Sequence, residues 1–217
     1  MMMFTRFCAL ALVALGLSAC AQPDTAMRNA AFEPPLSAPL TAPADRLGAF
    51  HIIATNVTVP RSLRVSEANR YYPSGDIVWR EDPIGNRHDQ VAQIFKQGVA
   101  LGEPSVIGER PVVLNVQVTR FHAITEKARY TVGGVHDIDF IWWLSEPSTG
   151  GRLTEPKLVD ANLDALGGRA AVAAENRGVT QKYRITHHLA RVIVTELLTK
   201  DGWVTANYGF FDLVNEL

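Results

Sequence analysis

The chain has 217 residues, and its 21 lysines and arginines against 22 aspartates and glutamates leave a formal net charge of −1. That balance excludes broad electrostatic capture of nucleic acid, which needs a clustered basic surface. A hydrophobic fraction of 47% excludes wholesale disorder. The chain's two cysteines are Cys8 and Cys20, too few and too early for a zinc cluster or a disulfide framework. Residues 1–20 open with one positive charge, Arg6, and no acid; an apolar run then extends from Phe7 to Leu17. Such a run matches the core of a secretory leader and falls short of the ~20 residues that a membrane-spanning helix needs.

The leader ends in Leu17, Ser18, Ala19 and Cys20, which resembles a bacterial lipobox. The resemblance implies a signal peptide over residues 1–19, cleavage before Cys20, and acylation of its thiol. Cys8 then leaves with the leader, which suits an oxidising envelope compartment. Two or three acyl chains hold a protein on a bilayer where one binds only marginally. In enteric-type sorting an aspartate after the cysteine favours the inner membrane, so Ala21 leans towards the outer one. Residues 20–48 then carry Pro23, Pro34, Pro35, Pro39 and Pro43 among small side chains. They read as an extended tether, roughly 80 Å at most.

A single domain is expected over residues 49–200. Ile53, Thr55, Val57 and Val59 alternate as in a strand, and residues 62–67 read as a second, short one. A turn at residues 71–76 precedes a buried extension at Ile77, Val78 and Trp79. The segment 82–86 introduces a helix with Val91, Ile94, Phe95 and Val99 on one face, ended by Gly98 or Gly102. Val112, Leu114, Val116 and Val118 alternate with Asn115, Gln117 and Thr119, predicting a strand with one buried and one wetted face. Tyr130, Val132, Ile138, Phe140, Trp142 and Leu144 share one parity along the next strand, with Gly133 and Gly134 as a bulge or twist within it. A turn at residues 148–151 leads to a third strand near 152–159, and an alanine-rich loop or short helix follows within 161–179. Thr180 caps a final helix bearing Ile185, Leu189, Val192, Ile193 and Leu197. The order predicts an α+β fold, a mainly antiparallel sheet with two principal helices on one face as two layers. Residues 201–217 form a tail with Trp203, Tyr208, Phe210, Phe211 and Leu213, expected to pack back on the domain or onto a partner.

No nucleophile elbow, HExxH, phosphate loop or dinucleotide fingerprint occurs, and no cofactor or metal is implied. On a strand, Asp137 and Asp139 share a face about 7 Å apart, and His136 points to the other. The carboxylates invite a hydrolase reading, whereas a shared metal site needs a bulge. Glu67, Arg70, Arg80, Glu81, Arg87, His88 and Asp89 concentrate charge near the first helix, as a solvated surface or a docking one. With Trp142 in the core, Ile141 and Trp143 form an apolar patch on the opposite face, for a partner or for the aromatic tail. Trp79 joins them as a contact residue.

The segments Arg70-Tyr71-Tyr72-Pro73, Asp76-Ile77-Val78-Trp79-Arg80 and Arg129-Tyr130-Thr131-Val132-Gly133-Gly134-Val135 resemble an uncharacterised family of proteobacterial lipoproteins, a domain of unknown function. A looser likeness, through the tether and Trp79-Arg80-Glu81-Asp82-Pro83, is to the auxiliary lipoproteins of ABC-type lipid transport systems. The expected protein is therefore a non-enzymatic envelope lipoprotein facing the periplasm. It is held by the bilayer at Cys20 and binds an envelope protein within a transport or maintenance assembly. The alternatives are a carrier of lipid or another apolar ligand, with a pocket lined by Phe140, Trp142 and Ile193, and a hydrolase using Asp137 and Asp139.

Overall fold

The computed structural model describes residues 49–204. The leader, Cys20, the tether and residues 205–217 of the tail lie outside the described residues. The described chain enters directly through an extended segment, β1 (Phe50–Thr58). Its inward parity changes partway: Phe50 and Ile52 are buried, a bulge follows between Ile52 and Ala54, and Thr55 and Val57 then face inward. Residues 62–67 do not form the expected strand. Val65 alone makes a bridge, to Ile77. The buried extension is real: β2 (Ile77–Val78) is followed by an equally buried Trp79.

Asn86 caps α1 (Arg87–Gly102) by accepting from the Asp89 amide, and Val91, Ile94, Phe95 and Val99 form its buried face. Gly98 does not end the helix; it lets another helix approach. A Cβ there would lie 3.0 Å from the Leu189 Cβ, and one on Gly102 would lie 2.7 Å from the Val194 Cγ2. A short 3-10 turn, Glu103–Ser105, leads to β3 (Arg110–His122).

A further helical turn, α2 (Glu126–Arg129), stands where a strand was expected to begin, because the Thr125 hydroxyl caps it by accepting from the Ala128 amide. Tyr130 and Val132 are consequently exposed rather than in the core. Gly133 turns the chain at a φ of 76°, into β4 (Gly134–Ser145). The two glycines thus open the strand instead of bulging within it. After the Ser148–Gly151 turn, Arg152 makes one bridge to Ser145, and regular pairing resumes only in β5 (Lys157–Asp160). β6 (Leu163–Ala165) and α3 (Gly168–Glu175) follow. The Thr180 hydroxyl then accepts from the Tyr183 amide to cap α4 (Gln181–Leu198).

The sheet is mixed rather than mainly antiparallel, with the order β1-β3-β4-β5. β1 and β2 both run parallel to β3, whereas β4 is antiparallel to β3, β5 and β6. The correction follows from connectivity. β1 and β3 are joined through α1, and a crossover of that kind sets strands parallel. Phe95 of α1 meets Phe121 and Phe140 edge-on at 6.3 and 5.4 Å, while Glu196 of α4 reaches Trp142 on β4. Both helices therefore contact the sheet face that carries Phe140 and Trp142. The other parity is not the wetted face that alternation suggested, because Asn115 and Gln117 are buried on it.

Candidate functional site

The Asp137–Asp139 pair lies on one face of β4, as strand geometry requires, beside Arg120 of β3. Arg120 donates through Nε to the Asp137 carboxylate at 2.5 Å. Asp139 sits opposite Arg120 in the ladder. His136 points the other way and is completely buried, accepting at Nδ1 from the Ile124 amide at 3.3 Å. Burial, reinforced by the charges of Arg184 and Arg129 and by His188, pulls its pKa down to about 3. The imidazole is thus neutral at physiological pH. No trio of metal-binding side chains converges among the described residues. His136, Arg129, Arg184 and Gln181 border a small space beside α3. Gln181 Oε1 is buried without a hydrogen-bond partner.

The charge concentration near α1 resolves into a clasp. The Arg87 guanidinium, buried, donates to both carboxylate oxygens of Glu67, to the carbonyls of Asp82 and Pro83, and to Gln90. Hydrogen bonding from Arg87 holds the Glu67 carboxyl below its ordinary value. Arg80 bridges Glu67 to Glu126 of α2. Asp82 accepts from Trp79 Nε1 at 2.7 Å and from Lys182 at 2.9 Å, while Glu81 accepts from the Lys182 amide at the start of α4. Glu81 also pairs with Arg129, which reaches on to Glu175 of α3. Residues 59–76 and 79–86 have almost no regular secondary structure, so these pairs fix loops that backbone ladders do not. The loops carry Tyr72 and Ile84, 87% and 94% exposed.

Trp79 lies inside this assembly. Its ring is wholly buried, meeting Phe121 edge-on at 5.7 Å. It serves the core, as the expected buried extension implies. The rule that buried indoles seek a hydrogen-bond partner explains the aspartate three residues later.

Phe140, Trp142 and Ile193, expected to line a pocket between sheet and helix, do lie together there. Leu114, Val116, Glu196 and Leu197 complete its walls. They leave no space wide enough for a water. Glu196, buried at its edge, accepts from Trp142 Nε1 at 3.0 Å, Lys157 Nζ at 2.8 Å and the Trp203 amide at 2.6 Å. Neither Glu196 nor Lys157 was singled out by the sequence. Lys157 and Glu196 lie far apart in the chain, and no local spacing connects them.

On the opposite face, Ile141 and Trp143 stand together with Asn115 and Gln117 of β3 and Leu158 of β5. Trp143 is 9% exposed and Ile141 half-buried, whereas Leu158 is 58% exposed. Asn115 donates to Ser145 Oγ at 2.9 Å and accepts from Asn56 at 3.0 Å, forming a polar ladder across three strands.

The chain belongs to a family of unknown function, DUF6778, whose pattern matches residues 50–212. This accords with the resemblance to an uncharacterised family. No curated protein matches the chain. Among solved structures it is similar to a candidate lipoprotein from Caulobacter crescentus, at 16% identity over 49% of this chain and 79% of that one, with a TM-score of 0.34. It is also similar to a Xanthomonas campestris protein of family DUF330, at 10% identity over 73% and 88%, with a TM-score of 0.39. Likenesses at that level carry no argument about function, and neither protein is described as a transport component.

Proposed function

We propose that this protein is a lipid-anchored component of the bacterial cell envelope that binds a protein partner in the periplasm and performs no catalysis. The single observation that carries the anchoring is the sequence Leu17-Ser18-Ala19-Cys20 directly after a charged and then apolar leader. No described helix is long and apolar enough to cross a membrane, so the anchor in this reading is the acyl group on Cys20, with the outer membrane favoured by Ala21. The partner reading draws on the clasp. Loops that are ordered before contact lose less entropy on binding, and Tyr72 and Ile84 are apolar side chains held outward on such loops. Transport or envelope maintenance is the setting this reading assigns to the complex.

A second reading, a carrier of lipid or another apolar ligand, draws on the closed pocket beside Ile193. Ligand pockets usually span roughly 300–1,000 Å³, so this one has to open by moving α4. The test is fractionation of cells bearing the native chain or Cys20→Ala, with mass spectrometry after brief cross-linking. Native protein is expected in the membrane fraction with an acyl mass on Cys20 and a reproducible cross-linked protein. Membrane association that survives Cys20→Ala without any acyl mass overturns the anchor. A stoichiometric apolar adduct with no protein partner favours the carrier.

A further inference from the structure

The small space beside α3 keeps polar groups that nothing in the described chain satisfies. His136 of β4, Gln181 and Arg184 of α4 and Arg129 of α2 border it, and α3 contributes the short side chains of Ala171 and Ala174, which leave it open. The Ile124 amide donates to His136 Nδ1, so the neutral ring carries its proton on Nε2. That N–H has no acceptor among the described residues. Gln181, 6% exposed, has no partner at Oε1, and turning its amide over presents an NH2 group there instead. The half-buried Arg184 makes no side-chain hydrogen bond or ion pair among the described residues; the opposing charge that reaches it is Asp164. Arg129 is already shared between Glu81 and Glu175. Glu175, the carboxylate on the rim, is held by Arg129 and by the Tyr130 hydroxyl.

We infer that His136, Arg184 and Gln181 form a binding site for one monatomic anion of chloride size. A buried donor without an acceptor costs about 1–3 kcal/mol, and an occupant that accepts from all three side chains removes that cost. The charges that reach His136 are the cations Arg184 and Arg129, and no carboxylate among the described residues offsets them there. The potential at its ring is therefore positive, which favours an anion over a neutral water. Size selects the anion. The space admits an occupant of roughly one water's volume, too little for sulfate, phosphate or a carboxylate. It is partly open to solvent, so the ion can exchange. The site goes beyond the anchoring and partner reading and depends on neither.

Nitrogen NMR of the imidazole rings tests it, on the full chain with isotopically labelled histidine, as one sodium salt replaces another at constant ionic strength. Chloride and bromide are expected to shift the His136 signals saturably, while sulfate and gluconate leave them in place. Arg184→Gln should weaken halide affinity about tenfold, the loss of one charge-assisted hydrogen bond. Should that variant fail to fold, the size selectivity of the native chain decides the matter. A His136 signal that ignores both halides overturns the site and leaves water as its occupant. So does a shift that sulfate and gluconate produce equally, or a halide affinity that Arg184→Gln leaves unaltered.

Discussion

One strand, β4, supports two unlike environments through alternate residues. Phe140, Trp142 and Leu144 face α1 and α4, in a layer sealed by aromatic edges and by the Glu196 carboxylate. Ile141 and Trp143 face a polar ladder of Asn56, Asn115 and Ser145. The first face is held by volume, since interiors are packed so closely that a lost methylene is felt. The second carries the Asn56–Asn115–Ser145 hydrogen bonds, yet Gln117 Nε2 on the same face is buried without a partner. Period-two alternation alone distinguishes the faces but not what covers each.

Substitutions can break this contrast. Phe140→Ala removes a ring packed against Phe95 and should cost about 3–5 kcal/mol, seen as a lower urea midpoint at an unchanged slope. Glu196→Ala leaves the Trp142 N–H buried without its acceptor and frees Trp203, and should cost about 3 kcal/mol. A Glu196→Gln variant that recovers most of this would assign the loss to hydrogen bonding rather than charge.

A pH titration sharpens the contrast further. His136 has its folded pKa lowered to about 3, below an unfolded value near 6.5. Its contribution is fully present above pH 6.5 and is lost as pH falls, since the unfolded chain takes up the proton first. The loss should be about 2 kcal/mol between pH 6.5 and 5. His188 and His122, also lowered by burial, add to it in the same direction. His136→Gln should remove its share of the slope when unfolding is followed at both pH values. The smallest effect is expected at Leu158→Ser, within about 0.5 kcal/mol by the same urea measurement.

Periodicity made the helices legible. The buried stripes of α1 and α4, the start of α1 after residues 82–86 and the cap at Thr180 fall where residue spacing puts them. It did not reveal the direction of pairing, because an alternating strand has the same pattern beside a parallel or an antiparallel neighbour. Bulges at Ile53 and Thr119 shift parity within a strand, and α2 is too short to show a period. Site residues divided along the same line. The opposition of Trp142 and Trp143 follows from alternation, and the burial of Trp79 from its place in an apolar run, whereas its hydrogen bond to Asp82 has no signal in that run. Clasp charges were visible as a cluster, whereas their partners on α2, α3 and α4 are contributed by distant segments.

The parallel setting of β1 and β3 gives the molecule a polarity along its length. Phe50 pairs with Arg110 at the beginning of β3, while Pro73 and Asp76 meet His122 and Phe121 at its end. The chain therefore joins the domain at one pole and carries Tyr72 at the other. Between them β3 acts as a strut, its thirteen residues spanning roughly 40 Å. The clasped loops thus lie about the length of that strut from the point where the described chain begins.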